Sequence, residues 1–126
     1  MPGLIQIMLI LGKQKPLFWT NHAKSKIIFY KLSEARVRRV LHSPKRIEEG
    51  IAPDTIAMMQ PVSVKNKIEN GDRKEIWNQE IWVMIQDTKE KRKVISAWRY
   101  PGMTKLNEGA IVGFIKKQYD DFINRR

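Results

Sequence analysis

Residues 75–102 read EIWNQEIWVMIQDTKEKRKVISAWRYPG, and the fold turns on this stretch. It holds two runs rich in β-branched and aromatic residues, 81–86 and 94–99, joined by a polar loop over 87–93. That pattern predicts two paired strands. Around the first run, Ile76, Trp77, Ile81, Trp82, Val83, Met84 and Ile85 leave little room for a fully wet face. Such a strand is expected to be covered on both sides, by helices on one and by a loop or partner on the other. The second run alternates: Val94, Ser96 and Trp98 should face one way, and Ile95, Ala97 and Arg99 the other. It ends in Trp98-Arg99-Tyr100-Pro101-Gly102, which puts a fixed cation and a phenol at a sheet edge before a turn.

Upstream, Thr20 or Asn21 can cap a helix over 22–30, with Ala23, Ile27 and Tyr30 inward. Ser33 caps a second helix over 34–42, with Glu34 at its positive end and Val37, Val40 and Leu41 as its buried stripe. Pro44 stops it. Residues 45–49 read as a short strand and 55–64 as another, in which Pro61 demands an edge position or a kink. Asn70-Gly71 is a hairpin turn signal. After Pro101-Gly102, Asn107 caps a C-terminal helix with Ile111, Phe114, Ile115 and Phe122 as its apolar stripe. The resulting expectation is an α+β domain of two layers. It has two N-terminal helices, a three- to four-stranded antiparallel sheet and a C-terminal helix, with all helices on one face. Residues 18–126 form this single domain. Residues 1–17 read as an apolar extension, and 12–16 as a linker within it. The apolar run 4–11 is much shorter than the roughly 20 residues that span a bilayer, and it lacks the basic n-region and cleavage site of a signal peptide.

The chain has 126 residues, enough for one modest core, and 42% of them are apolar. With no cysteine, disulfides, thiolate zinc sites and cysteine nucleophiles are excluded, which suits a cytoplasmic setting. Net charge is +11. Residues 1–47 hold ten lysines and arginines against the single acid Glu34, and residues 88–106 hold six against Glu90. If the fold joins these blocks, one face carries most of the positive field and a polyanion is the natural partner. RNA is the expected partner, through Lys24, Lys26, Arg36, Arg39, Arg46 and Lys93.

Three constellations carry chemistry. His22, in a first helical turn among Lys24 and Lys26, reads as a capping or surface histidine, or as a general base toward a ribose hydroxyl. Arg46 and Glu48 share a strand face, and they read as an ion pair at a sheet margin or as a base beside a phosphate clamp. Arg99 can stack on Trp98 or Trp82, or stabilise charge on phosphorus, with Tyr100 or His22 moving the proton. Such cleavage needs no metal and no cofactor. His22 and His42 lack zinc-binding spacing, and P-loop, Rossmann and Gly-x-Ser-x-Gly signatures are missing. Trp82 and Trp98 are expected in the core.

The motifs His22-Ala23-x-x-Lys26, Ser33-x-x-x-Val37 and Pro44-x-x-x-Glu48 resemble the opening of an uncharacterised bacterial domain family. The stretches Ile81-Trp82-Val83-Met84 and Val94 through Gly102 look like that family's closing strands. The resemblance covers about residues 20 to 102 and departs from the family at Ile27, where methionine is usual. It implies a fold similar to the RelE and BrnT toxins, small basic ribonucleases that block translation and are held inactive by an antitoxin protein. On that likeness the chain would be a metal-independent endoribonuclease, with RNA, ribosome-associated RNA included, as its target. Its catalytic residues would come from His22, Glu48, Arg99 and Tyr100. The alternative is a non-catalytic basic module that binds RNA or DNA.

Overall fold

The computed structural model describes residues 14–50, 52–104 and 109–124; for 109–111 the description is limited to the backbone. The apolar run 4–11, the cap at Asn107 and the side chain of Ile111 lie outside it. Strand β1 (Leu17–Trp19) is followed by helices α1 (Asn21–Phe29) and α2 (Glu34–His42). Strands β2 (Arg46–Glu49), β3 (Thr55–Pro61), β4 (Lys65–Glu69), β5 (Asp72–Ile76), β6 (Gln79–Asp87) and β7 (Arg92–Pro101) come next, and helix α3 (Gly109–Asn124) closes the order.

The α+β class holds, but the sheet is larger than expected and is mixed. Five strands run in the order β1-β7-β6-β3-β2, while β4 and β5 form a separate two-stranded ribbon. All neighbours in the five-stranded sheet are antiparallel except β1, which pairs parallel with β7 through Leu17–Arg92 to Trp19–Val94. Three residues flanked by Pro16 were too short a segment to signal a strand. Residues 14–16 are not a free linker either: the Pro16 carbonyl accepts from Arg92 N at 2.9 Å, and Lys15 Nζ lies 2.6 Å from Asp87 Oδ2.

The helices also cover both faces rather than one. On one face Ala23, Ile27, Leu32, Val37 and Val40 pack with Ile56, Met58, Ile81, Val83, Ile85, Val94 and Ala97. On the other, Ile115 of α3 packs with Ala57, Met59, Trp82, Met84, Ile95 and Trp98, supported by Phe114, Tyr119 and Phe122. This makes three layers, and it explains why β6 is apolar nearly throughout. Trp82 and Trp98 are core residues, with stacked rings 5.9 Å apart.

The expected alternation in β7 fails at one point. The register slips between Met84 and Ile85, whose partners are Ser96 and Val94, so Ile95 is an extra residue in β7. Ile95, Ser96 and Trp98 therefore serve the α3 layer, Ser96 Oγ donating to Gln118 Oε1 at 3.2 Å, while Val94 and Ala97 serve the other. A β-bulge of this kind re-aims every side chain beyond it. Pro61 needs no edge: β3 is internal, and Pro61 is simply its last residue.

Both N-terminal helices start where their caps place them. Thr20 Oγ1 accepts from Ala23 N at 3.1 Å, and Ser33 Oγ accepts from Arg36 N at 3.0 Å. Helix α1 ends in a Schellman turn: Leu32 N donates to Ile27 O at 2.8 Å and Lys31 N to Ile28 O at 3.1 Å. Lys31 holds the left-handed position, φ 55°, that glycine usually takes. In the ribbon, Asn70 and Gly71 have φ of 53° and 84°, the turn their dipeptide predicts.

One buried carboxylate ties the sheet to the segment before α3. Glu80 is 0% exposed, and both its oxygens are fully engaged. Oε1 accepts from Trp82 Nε1 at 2.9 Å and Thr104 Oγ1 at 2.8 Å; Oε2 accepts from Trp77 Nε1 at 2.8 Å and Thr104 N at 3.0 Å.

Candidate nucleic-acid interface

Helix α2 presents Val37 and Val40 to the core, which turns Arg38, Arg39 and His42 outward. Strand β1 lies across from them, and behind it the start of β7. Val94 faces the α1–α2 layer, so Arg92, two residues earlier, faces it too, whereas Lys93 points to the opposite side with its register partner Phe18. Between these elements lies a cleft of about 620 Å³, lined by Gln14, Lys15, Leu17, Arg38, Arg39, Leu41, His42 and Arg92. Among the described residues that line it, none is acidic. The Asp87 carboxylate holds two of these cations, Lys15 Nζ at 2.6 Å and Arg92 Nε at 3.0 Å. Arg38 sits 5.6 Å from the Trp19 ring.

A second cationic cluster adjoins the cleft through Arg39. Arg99 reaches from the end of β7 to the end of α1. Its Nε donates to Tyr30 O at 2.7 Å, NH1 to Gln79 Oε1 at 3.1 Å and NH2 to Lys31 O at 3.3 Å. It thus closes the Schellman turn, where a cation also meets the negative end of the helix. Arg36 donates to Gln60 Oε1. Burial, and then the neighbouring charges of Arg39 and Arg99, pull the Arg36 guanidinium below its ordinary pKa.

The four expected catalytic side chains do not converge. Arg99 shares a face with its register partner Ile81, in the α1–α2 layer. Tyr100 packs under α3, edge-on to Phe114 with centroids 5.9 Å apart. Arg46 and Glu48 share one face, as expected, but it is the α3 face, where their partners Met59 and Ala57 lie. Arg46 Nε meets Glu48 Oε2 at 2.7 Å, NH1 meets Thr104 Oγ1 at 2.9 Å, and the guanidinium lies 5.9 Å from the Trp82 ring. It is Arg46, not Arg99, that lies over Trp82. His22 is 6% exposed, with its ring edge-on to Phe122 of α3 at 5.9 Å. It stands at the start of α1 and Arg99 at the end, eight residues or about 12 Å away along the axis.

Of the six expected RNA contacts, Arg39 lines the cleft and Arg36 adjoins it. Lys24 is exposed on α1, and Lys26 lies 6.0 Å and 5.9 Å from the Phe29 and Tyr30 rings. Arg46 and Lys93 are on the other face of the sheet. Sequence reasoning missed Lys15, Arg38, His42 and Arg92 as a group. The i, i+4 spacing of Arg38 and His42 was a usable signal; bringing Lys15 to Arg92 required the β1–β7 pairing.

No family model matches the chain, and neither a curated protein nor a solved structure is significantly similar to it. Among the described residues, no helix is long and apolar enough to cross a membrane.

Proposed function

We propose that this chain is a nucleic-acid-binding module that holds an RNA backbone in the cleft between α2 and β1. The observation that carries the reading is a cleft lined by four fixed cations and a histidine, with no acidic side chain among the described residues of its walls. Phosphates entering it would displace condensed counterions, and the field of the remaining basic face would speed encounter. A cytoplasmic RNA fits the cysteine-free, basic composition. The likeness to toxin ribonucleases would add a cleavage step, but that step needs a base beside the cation on phosphorus, and His22 and Glu48 both stand apart from Arg99. Binding is therefore the reading adopted, with relationship to those toxins as its more distant extension.

The test is fluorescence anisotropy of a labelled single-stranded RNA across 50 to 200 mM salt. Arg38, Arg39 and the Lys15–Arg92 pair, which shares Asp87, amount to about three phosphate contacts, so the slope of log K on log salt should be about −2. Arg38→Gln should flatten it by about 0.7 and weaken all sequences alike. The RNA should stay intact in EDTA. A slope near zero, or a wild-type slope in the variant, would overturn the reading; cleavage lost on Arg99→Ala would replace it with the ribonuclease.

A further inference from the structure

The Arg36–Arg39–Arg99 cluster holds more charge than a backbone phosphate requires. Each guanidinium carries five N–H donors. Arg99 uses three of its own, all on neutral oxygens: two main-chain carbonyls and the Gln79 amide. Arg36 uses one, again on a neutral amide, that of Gln60. None of the three arginines makes an ion pair with a carboxylate among the described residues. Three like charges thus stand together, and the groups that hold Arg36 and Arg99 orient them and neutralise nothing. Gln60, which holds Arg36, and Arg99 are both register partners of Ile81, so the two arginines stand over one row of the sheet; burial, and then the charges of Arg39 and Arg99, lower the proton affinity of Arg36. An arrangement with this bias stores a preference for an anion. Because Arg99 is already locked to the end of α1, little further ordering opposes binding.

The size of the charge points to the kind of anion. A phosphodiester brings one negative charge, whereas a phosphomonoester brings about −1.5 to −2 at pH 7 and three terminal oxygens. Three guanidiniums match the second better. Position agrees. Arg39 belongs both to the cluster and to the cleft, and Arg36 lies three residues, about 4.5 Å, further toward the start of α2. Stacked nucleotides advance by about 3.4 Å along a strand. A strand whose end sits on Arg36 and Arg99 therefore delivers its next phosphates to Arg39 and the cleft.

We propose that Arg36, Arg39 and Arg99 form a receptor for the terminal phosphomonoester of the RNA strand that the cleft holds, so that the protein recognises phosphorylated ends. This rests on the cleft's being the RNA site, and the two can fail separately. The experiment compares one RNA octamer with 5′-phosphate, 3′-phosphate or hydroxyl ends, alongside inorganic phosphate alone, on the full chain. One phosphorylated end should bind about tenfold tighter than the hydroxyl-ended strand, and the polarity of that end assigns the direction in the cleft. Inorganic phosphate should raise the melting temperature of the wild type. Arg36→Gln should abolish both effects, while Arg38→Gln should weaken all strands and leave the preference intact. A check independent of any variant is pH: the preference should shrink from pH 7.5 to pH 5 as the monoester falls from dianion to monoanion, its second pKa being about 6. Equal binding of all three octamers at pH 7.5, or a preference unchanged at pH 5, would overturn the receptor and leave the cleft standing. Tight pH-dependent binding of inorganic phosphate with no RNA binding would remove the cleft and the strand end together.

Discussion

Replacing Glu80 by glutamine tests how the sheet is tied to the segment ahead of α3. The side chain keeps its shape, but one acceptor oxygen becomes a donor. If the amide oxygen takes the place of Oε2, it still accepts from Trp77 Nε1 and Thr104 N. The new NH₂ then stands where Oε1 accepted from Trp82 Nε1 and Thr104 Oγ1. A threonine hydroxyl can rotate and accept; an indole N–H cannot. One buried donor is orphaned, at about 1–3 kcal/mol, and the other bonds lose their charge assistance. Glu80→Gln should therefore cost about 2–4 kcal/mol, a large part of the 5–15 kcal/mol typical of a domain. Urea unfolding followed by tryptophan fluorescence measures it. The geometry also singles out the indole that is left over. Trp82→Phe should couple to Glu80→Gln by at least about 1 kcal/mol in a double-mutant cycle, because it removes the orphan, whereas Trp77→Phe should couple less. A neutral Glu80→Gln, or stronger coupling to Trp77, would refute this account of the network.

Three further outcomes are expected. Asp87→Asn removes the counter-charge that Lys15 and Arg92 share, so RNA binding should tighten and the salt slope steepen by about 0.7, read by anisotropy, at some cost in melting temperature. Gly50→Ala should destabilise by about 1–3 kcal/mol in urea unfolding, since an added Cβ would meet Thr55 Cβ at 2.7 Å and Thr55 O at 2.9 Å in a turn closed by Gly50 N donating to Thr55 O. Arg99→Met should lose about 2 kcal/mol through the cap on α1, with faster amide exchange confined to the last turn of α1 and to Lys31 and Leu32; unchanged exchange there would show that the cap is idle.

Local signals were legible in the sequence. Thr20 and Ser33 announced two helices because capping is read within four residues, and Asn70-Gly71 announced its turn for the same reason. The paired strands β6 and β7 followed from composition and a short loop. What escaped depended on distant partners. The bulge at Ile95 exists only in relation to Met84 and Ile85, and it moved Ile95 to the face of Trp98. The two-sided cover of the sheet was half legible in the apolar run of β6, but nothing local told which helix would take which face. The site divided in the same way. Arg36 and Arg39 were visible as the exposed side of an amphipathic helix, while their meeting with Arg99, and that of Lys15 with Arg92, needed the tertiary fold. Lys93, expected as an RNA contact, lies one residue from the cation that faces the cleft.

The pairing of β1 with β7 has a consequence for timing. Thr20 Oγ1 donates to Val94 O, and Lys15 to Asp87, across 74 and 72 residues of chain. Contacts of such separation close late, after the loop entropy between them has been overcome. On a ribosome, Arg92 is added only after the other described residues lining the cleft, so a nascent chain would present its basic helices before the cleft existed. The cleft would form in a single late step, when β7 leaves the exit tunnel and draws β1 alongside.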